Sequence, residues 1–441
     1  MGTVAQRQVA HIWRRLGFGA TGSDIDSGVA AGPQAVIEDL LSRPLTMPAE
    51  WNFTTGTDYL GQNLFLGQQL QLMATGANPL QERLAWILQG LVVVGLDGTV
   101  YFPDLHDHIF RLRGNPFGSY AQLLLDVTTM TGMMKYLNGY QNSALHPNQN
   151  YGRELMELFS LGITHPTTGV ENYTQVDVEE VARALTGYTL DWTTGTIVFD
   201  PTQFDSGDKT FLGQDRGDAG VPDVINAIAQ HPSFPYFVPL RLYQELVGLV
   251  PTNATLDSLA ALWGTTGDVQ AVVSAITQLP DFLSAPAIGA KAKSPVELMA
   301  NAAKVTGFDL STTDYSWQMQ DFLGQYPFIP PNVSGWPVGA RWLNAGVAMT
   351  WCSMVQDFVG ASLNNSLNDS TGVVAQLLAS ATAGNAAATV PATAAYLCGL
   401  PDLSPTTASA LATYVASGPW NEYQAAGTLA MVLLSPEFFI N

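Results

Sequence analysis

The chain has 441 residues, of which 47% are apolar and only 12% are charged, so it is long enough to bury a large core and its composition excludes a disordered protein. Asp and Glu number 37 against 17 Lys and Arg, a formal charge of −20 that disfavours nucleic acid and anionic membranes and fits a neutral or cationic ligand better, although solubility alone accounts for such a surface. No apolar run reaches about 18 residues, so we expect no transmembrane segment.

Apolar residues recur at helical spacing along most of the chain, which predicts a mainly α-helical fold, a large multi-helix globular bundle. In the first half, the predicted helices are Val4–Leu16, Gln34–Leu41, Gln81–Val94, Tyr120–Val127, Tyr151–Leu161 and Gln175–Leu185. A loop rich in Gly, Asp and Pro is expected after residue 94. One small β-hairpin is predicted near residues 188–199, where Tyr188–Trp192 and Thr196–Phe199 alternate about a Thr-Thr-Gly turn.

The helical pattern continues in the second half of the chain. The predicted helices are Val221–Gln230, Phe234–Val247, Leu256–Trp263, Val269–Thr277, Pro295–Val305, Trp342–Val359 and an apolar C-terminal segment, Ala425–Phe439. The stretch Ser362–Ala395 has the composition of a loose linker, although Val373–Leu378 still favours a helix. Since no repeat of fixed period is present, we expect a single domain over residues 1–441, or two packed lobes at 1–220 and 221–441.

The N-terminal segment and the cysteines bear on the compartment. Met1–Gly19 contains arginines but neither the apolar stretch nor the cleavage site of a signal peptide. We therefore expect a cytoplasmic protein as the sequence is written, and an exported or envelope-associated one if a leader has been removed. Cys352 and Cys398 are too few for a disulfide scaffold or a zinc site, so they either form one bridge or are small buried apolar side chains.

The segment from His146 to Gly162 carries the first candidate catalytic side chain. Asn148 or Asn150 can cap the helix that follows. On a helical wheel, Glu154 falls inside the apolar arc and Glu157 lies at its edge. An unpaired carboxylate on a buried face has a raised pKa, as a general acid requires. The structural alternative is a buried ion pair with an arginine.

The segment from Tyr173 to Gly187 carries the second candidate. Thr174 is a plausible N-cap, and Asp177 follows three residues later, as in a capping box. Because Asp177 also falls inside the apolar arc, it is either a catalytic acid or a capping residue that compensates the helix dipole. Glu179 and Arg183 are spaced for an ion pair across one helical turn.

If these two helices pack together, Glu154 and Asp177 would form a carboxylate pair beside aromatic side chains, an arrangement typical of clefts that hydrolyse glycosidic bonds. The residues expected to bind a ligand around this pair are Asn148, Asn150, Tyr151, Arg153, Glu157, Arg183, Tyr188 and Trp192.

Two further groups of side chains are candidate metal ligands. The loop at 200–218 holds five acids, and Asp200, Asp205 and Asp208 could bind calcium through hard oxygen ligands, although a solvated acidic loop is the simpler interpretation. His106 and His108 lie close together, but no third ligand follows at a recognisable spacing. No other cofactor is evident. The chain has no P-loop, dinucleotide fingerprint, nucleophile elbow or zinc-protease motif, which argues against those classes of enzyme.

Several motifs, in order along nearly the whole chain, resemble the bacterial family known as domain of unknown function 1800. These motifs are His11-Ile-Trp-Arg-Arg-Leu-Gly-Phe-Gly19, Pro147-Asn-Gln-Asn-Tyr-Gly-Arg-Glu-Leu155, the segment Tyr173–Tyr188, Lys209-Thr-Phe-Leu-Gly213, Lys293-Ser-Pro-Val-Glu-Leu298, Ser334-Gly-Trp-Pro337 with Trp342, and Leu433-Leu-Ser-Pro-Glu-Phe438. The resemblance implies a large helical protein, often exported and often encoded beside a sulfatase-like partner. It implies no known reaction.

The chain also departs from this family pattern. Related sequences usually carry Trp-His-Asn-His-Phe where this chain has Leu88-Gln-Gly-Leu-Val92, and His-Asp where it has Phe204-Asp205. Three imidazoles that could bind a metal or carry a proton are thus missing, which implies that this divergent member has lost any histidine-dependent metal centre.

Two functions fit these observations. The first is a non-catalytic or weakly catalytic binding protein of the bacterial cell envelope, with a small-molecule or glycan ligand. It is favoured by the missing histidines and the lack of a catalytic motif. The alternative is a carbohydrate-active hydrolase that uses Glu154 and Asp177, which is favoured by acids on buried faces and by the aromatic content.

Overall fold

The computed structural model of the chain describes residues 2–51, 59–312, 318–382 and 384–441. Within these residues the protein is mainly α-helical, which confirms the expected fold class. The helices of the first half are α1 (Val4–Arg15), α2 (Gly22–Ala31), α3 (Pro33–Ser42), α4 (Tyr59–Thr75), α5 (Pro79–Gln89), α6 (Phe102–Gly114), α7 (Tyr120–Thr128), α8 (Thr131–Tyr136), α9 (Gln149–Glu157) and α10 (Gln175–Ala184). The helices of the second half are α11 (Val221–Ala229), α12 (Phe234–Val247), α13 (Asn253–Trp263), α14 (Val269–Gln278), α15 (Pro295–Thr306), α16 (Ala345–Asp369), α17 (Gly372–Ser380), α18 (Ala386–Leu397), α19 (Pro405–Ala416) and α20 (Glu422–Leu433).

Short elements connect these helices. The 3-10 turns are Gly139–Gln141, Pro201–Gln203, Leu310–Thr312, Gly339–Trp342 and Pro436–Phe439, and one π-helical turn covers Gln318–Leu323. The predicted hairpin is confirmed: β1 (Tyr188–Asp191) pairs antiparallel with β2 (Thr196–Phe199). A second hairpin joins β3 (Thr210–Phe211) to β4 (Gln214–Asp215), and its two-residue strands are too short to give an alternating pattern in the sequence.

The helices that the sequence did not predict include α6, which lies where a loop was expected after residue 94. Glycine and proline around residues 95–103 obscure its start, yet the Asp104 carboxylate accepts the Tyr101 N–H at 2.9 Å and so satisfies the first turn. The stretch Ser362–Ala395 is likewise no linker, because the end of α16, all of α17 and most of α18 lie within it. Its Ala, Ser and Thr side chains are small enough for helices to pack closely.

Buried apolar side chains form two large cores. The first core takes its residues from 12 to 287, including α7 and α9–α14, and the second core takes most of its residues from 296 to 438, together with α4. Residues on both sides of position 220 share the first core, so the two cores separate near residue 290 instead. Helix α5 contributes to both cores, because Leu84 and Leu88 face the first and Trp86 faces the second.

Buried charge is mostly positive in this protein. Among the described residues, the buried basic side chains are Arg14, Arg15, Arg83, Arg113, Lys135, Lys209 and Lys293. The buried acidic ones are Glu82 and Glu297. Arg113 pairs with Glu82 at 2.8 Å, and Arg83 pairs with Glu297 at 2.6 Å. The surface therefore carries nearly all of the acids.

The cysteines and the membrane prediction have clear outcomes. Both cysteines are free thiols, Cys398 is buried and Cys352 is exposed, so they do not form a bridge and only Cys398 is a buried apolar side chain. Cys352 lies on the outer face of α16 because the adjacent Trp351 is the residue turned into the second core. In the described part of the chain, no helix combines the length and the hydropathy that crossing a bilayer demands.

Candidate functional site

Glu154 lies half-buried on α9, near Glu157 and Arg153. Burial and the Glu157 carboxylate raise the pKa of Glu154, against the opposing effect of Arg153. Arg153 itself donates to the Gln175 side-chain oxygen at 2.9 Å, and within the described residues no ion pair includes Glu154. The direction of the pKa shift is the one that a general acid requires.

Asp177 is a capping residue. Its Oδ2 accepts the Thr174 N–H and hydroxyl, each at 2.7 Å, and its Oδ1 accepts the Leu212 N–H at 2.7 Å. The first two contacts complete the capping box of α10, and the third ties the β3–β4 hairpin to that helix. Three hydrogen bonds thus occupy both carboxylate oxygens.

The contacts of α9 and α10 do not bring Glu154 and Asp177 together. The helices pack through Gly152, where an added Cβ would lie 3.2 Å from the Val181 Cγ1. Glu154 lies about 200° around α9 from Gly152 and so faces away from α10. Asp177 faces the β3–β4 hairpin instead.

The other residues of the predicted cleft mainly stabilise local structure. Asn148 caps α9 by accepting the Asn150 N–H at 3.0 Å. The buried Tyr151 donates its hydroxyl to the Thr128 Oγ1 at 2.7 Å. Glu157 accepts the Tyr173 hydroxyl at 3.0 Å.

Arg183, on α10, and the aromatic residues that follow this helix are also separated. Arg183 pairs with Glu180 at 2.9 Å and with Asp205 at 2.7 Å, so the predicted pair with Glu179 is wrong. Tyr188 packs against Phe199 across the β1–β2 hairpin. Trp192, at the tip of that hairpin, is 80% exposed.

The acidic loop places its candidate calcium ligands apart. The Asp200 carboxylate accepts the Thr202 N–H and hydroxyl, and Asp208 is exposed. Asp205 is bound by the Arg183 guanidinium, which neutralises the charge that a cation would need. Across residues 2–51, 59–312, 318–382 and 384–441, no three His, Cys, Asp or Glu side chains converge as ligands for a metal ion.

His106 and His108 point to different surroundings. The buried His108 donates from Nε2 to the Val92 carbonyl oxygen at 2.8 Å, and burial lowers its pKa to about 4 despite that hydrogen bond. His106 contacts the Asp107 carboxylate and stacks on Phe110, with ring centroids 4.0 Å apart. The two imidazoles therefore serve packing on α6.

A cavity that the sequence reasoning missed lies at the junction of the two cores. It holds about 600 Å³ of space, counting its opening to solvent. Its lining comes from the end of α5, one face of α12, the start of α15 and the loop that precedes α16. The residues that line it include Trp86, Gly90, Leu91, Arg241, Glu245, Lys291, Ser294, Glu297, Gln325, Trp336, Val338 and Trp342. We call it the tryptophan cavity.

Stacked indole rings form one wall of the tryptophan cavity. The Trp86 and Trp336 rings are stacked, with centroids 4.5 Å apart and an interplanar angle of 22°. This stacking depends on Gly335, whose φ of +82° suits glycine and whose added Cβ would lie 2.8 Å from the Gly90 carbonyl oxygen. Only a glycine at this position lets the 334–337 loop approach the end of α5 so closely.

Charged side chains form another part of the lining. Lys291 pairs with Glu245, and its Nζ also lies 3.4 Å from the Glu297 Oε1. Glu297 is bound in turn by Arg83 and accepts the Ser294 N–H at 2.8 Å, which caps α15. Burial by itself would raise the pKa of Glu297, but the two cations and these hydrogen bonds outweigh it and hold the pKa well below its usual value.

Arg241 is the remaining charged residue of the cavity. It lies on α12, one turn before Glu245, and is half-buried. Within the described residues its guanidinium has neither a hydrogen-bond acceptor nor a carboxylate partner. The Trp336 indole nitrogen is also buried without an acceptor in this part of the chain. The cavity thus retains one charged donor, Arg241, that a ligand could use.

The sequence held one signal for this cavity. The motifs Lys293–Leu298 and Ser334–Pro337, with Trp342, are far apart in the chain yet border the same space. Gly90 and Leu91 line it as well. Arg241 and Glu245 belong to no such motif, so nothing in the sequence marked them.

The fold and the cavity define a mainly α-helical protein whose two cores enclose a charged, tryptophan-walled site. The chain belongs to the family described as protein of unknown function (DUF1800), whose model matches residues 11–440. No curated protein and no solved structure matches it.

Proposed function

We propose that this protein binds a single saccharide ring in the tryptophan cavity and does not hydrolyse it. The observation that carries the proposal is that the stacked pair of Trp86 and Trp336 lines one cavity together with charged, hydrogen-bonding side chains. The C–H faces of a sugar ring pack on indole rings, and its hydroxyls pair with carboxylate, ammonium and amide groups. This combination of an apolar face and fixed polar groups is typical of small-molecule sites.

The size of the tryptophan cavity limits the ligand. The centre of a water molecule can reach only about 70 Å³ of it, which is room for several waters. One ring fits a space of this kind better than an extended polysaccharide does. A longer glycan would therefore insert one terminal residue.

The state of the lining carboxylates supports binding without hydrolysis. Glycosidic hydrolysis needs a carboxylic acid that can give up a proton, together with a second carboxylate. Glu297 is held ionised by Arg83 and Lys291, and Glu245 is paired with Lys291. The lowered pKa of Glu297 leaves it without a proton to donate at neutral pH.

The alternative of a hydrolase based on Glu154 and Asp177 has less support. The raised pKa of Glu154 favours it. Against it, both oxygens of Asp177 are occupied by the N-cap of α10 and by Leu212. The location in the cell envelope and the sulfatase-like partner that the family resemblance implies stay predictions.

The test is a titration of the purified protein, monitored by calorimetry and by tryptophan fluorescence. The ligands are the methyl glycosides of glucose, galactose, mannose and N-acetylglucosamine. We expect at least one glycoside to bind at one site per chain, and Trp336→Ala to weaken its affinity at least tenfold. Trp336→Phe retains an aromatic ring and should therefore lose less of the affinity for the glycoside. Trp192→Ala removes an exposed indole far from the cavity and is the matched control.

Two outcomes would contradict the proposal. One is that no glycoside binds, or that Trp192→Ala weakens binding as much as Trp336→Ala does. The other is hydrolysis: p-nitrophenyl glycosides should release no p-nitrophenolate, and a release that Glu245→Gln abolishes would identify an enzyme.

A further inference from the structure

We infer that the saccharide in the tryptophan cavity carries a carboxylate, as a uronic acid does, and that this carboxylate pairs with Arg241. The inference rests on the proposed function and specifies its ligand class. It follows from the charged side chains that line the cavity, among which Arg241 alone makes no ion pair within the described residues.

The matched charges are two carboxylates and two cations. Glu297 is bound by Arg83 at 2.6 Å and Glu245 is bound by Lys291, whose Nζ lies 3.4 Å from Glu297 as well. Arg83 has further acceptors in the carbonyl oxygens of Gly17 and Arg14. Both lining carboxylates therefore already have a cationic partner.

Arg241 is the charged lining residue that has no ion-pair partner within the described residues. Glu245 lies one helical turn away on the same face of α12 and would be its natural partner, but Lys291 occupies that carboxylate. Arg241 has no other acceptor among the described residues, and it lines the same space as the stacked indoles. A guanidinium without a carboxylate partner at the edge of a binding cavity favours an anionic ligand.

The chemistry of the guanidinium selects the anion. Its planar fork of N–H donors matches the two oxygens of a carboxylate, and such charged, two-point contacts are about twice as strong as neutral ones. A cationic ligand is disfavoured, since both lining carboxylates already have partners. Neutral sugars can still stack on the indoles but leave Arg241 unused.

The net charge of −20 does not oppose this inference. Surface charges are screened beyond about 8 Å at physiological ionic strength. Contact between Arg241 and a carboxylate takes place inside the cavity, where screening is weaker. The acidic surface lowers the rate of encounter more than the strength of the final contact.

The experiment compares matched pairs of ligands. Methyl glycosides of glucose, galactose and mannose, and the corresponding methyl uronides, are titrated into the wild-type protein by calorimetry. For the ring that binds, we expect the uronide to bind at least about tenfold more tightly than the neutral glycoside. Arg241→Gln should abolish this difference, because the variant lacks the guanidinium that pairs with the carboxylate. Arg111→Gln, at an exposed arginine outside the cavity, should leave both affinities unchanged.

The outcomes separate this inference from the proposed function. Equal affinity for uronide and neutral glycoside in the wild type would overturn the inference and leave the saccharide site in place. Equal weakening of both ligands by Arg241→Gln would also overturn it, because Arg241 would then contact the ring. If no ligand of either kind binds, the proposed function itself fails.

Discussion

Arg83 and Glu297 form a buried ion pair of 2.6 Å, with each side chain only 3% exposed. Arg83 lies on α5, which contributes to both cores, and Glu297 lies in the first turn of α15 in the second core. The same guanidinium donates to the Arg14 carbonyl oxygen at 3.0 Å, so it joins α1, α5 and α15. Trp86 follows one turn after Arg83, and this pair therefore sets the position of the indole wall.

Replacing Arg83 with Met should destabilise the protein by about 3–5 kcal/mol, because Glu297 would keep a buried charge without its closest partner. Unfolding by urea, followed by circular dichroism, measures the change. Arg111→Met is the matched control: Arg111 pairs with Asp126 at 3.3 Å but is 52% exposed, so its loss should cost less than about 1 kcal/mol. Equal losses in the two variants would mean that the buried pair has no special role.

Stability should fall as the pH falls below about 6.5, in part because of His108. In the folded protein burial lowers its pKa to about 4, whereas in the unfolded chain it is about 6.5. The folded state therefore binds fewer protons than the unfolded chain between these two pH values. The resulting loss in the free energy of unfolding reaches about 3 kcal/mol near pH 4. His108→Gln should flatten this dependence, as measured by urea unfolding at pH 7 and pH 5.

His11 limits how much of the pH dependence His108→Gln can remove. Burial, together with Arg15 and Arg14, also lowers the pKa of His11. Part of the loss at acid pH should therefore persist in the variant. His146→Gln, at an exposed histidine, is the matched control. If His108→Gln and the wild type show the same slope, His108 is protonated while folded.

Glu154→Gln should leave stability at pH 7 unchanged or raise it by less than about 1 kcal/mol. The folded-state pKa of Glu154 lies above its unfolded value of about 4.3, so the folded state binds more protons. The contribution of Glu154 to wild-type stability is thus most favourable below about pH 4.3, and it declines as the pH rises through the folded-state pKa. Because Gln cannot ionise, the stability of the variant does not decline in this way.

Thermal unfolding at pH 5 and pH 7 compares the stability of the variant with that of the wild type, and Glu171→Gln, at an exposed glutamate, is the control. A clear destabilisation by Glu154→Gln would point to a structural ion pair.

Asp177→Ala should cost about 2 kcal/mol, because it removes the capping box of α10 and the bond to the Leu212 N–H. Asp208→Ala, at an exposed carboxylate of the neighbouring loop, should change stability by less than about 0.5 kcal/mol. Hydrogen exchange of the Leu212 amide reports the loss locally. A variant at Asp177 with wild-type stability and exchange would show that these contacts are unimportant in solution.

Several local features were predictable because their causes lie within a few residues. The α1 helix begins at Val4 because Thr3 caps it, and α10 begins at Gln175 through the Thr174–Asp177 capping box. The β1–β2 hairpin follows from alternating residues around a short turn. That Arg183 pairs with Glu180 and not with Glu179 was not predictable. The reason is that the Arg183 guanidinium also pairs with Asp205, which is remote in the sequence.

The tryptophan cavity illustrates what lies beyond local patterns. Trp86, Arg241 and Trp336 are separated by about 250 residues of chain and meet only where the two cores join. Arg241 and Glu245 have the spacing of an ion pair, yet Lys291 takes the carboxylate. Whether a charged side chain is paired therefore depends on which distant segments the fold places beside it.

By itself, the sequence determined the helical class, most helix positions, the hairpin and the family, because hydrophobic periodicity, capping residues and motifs act over short stretches of chain. The tertiary structure alone decided that Glu154 and Asp177 face different neighbours and that a tryptophan-walled cavity with one unmatched guanidinium lies between the cores. Burial and charge pairing are properties of residues brought together from remote parts of the chain, and no local pattern records them.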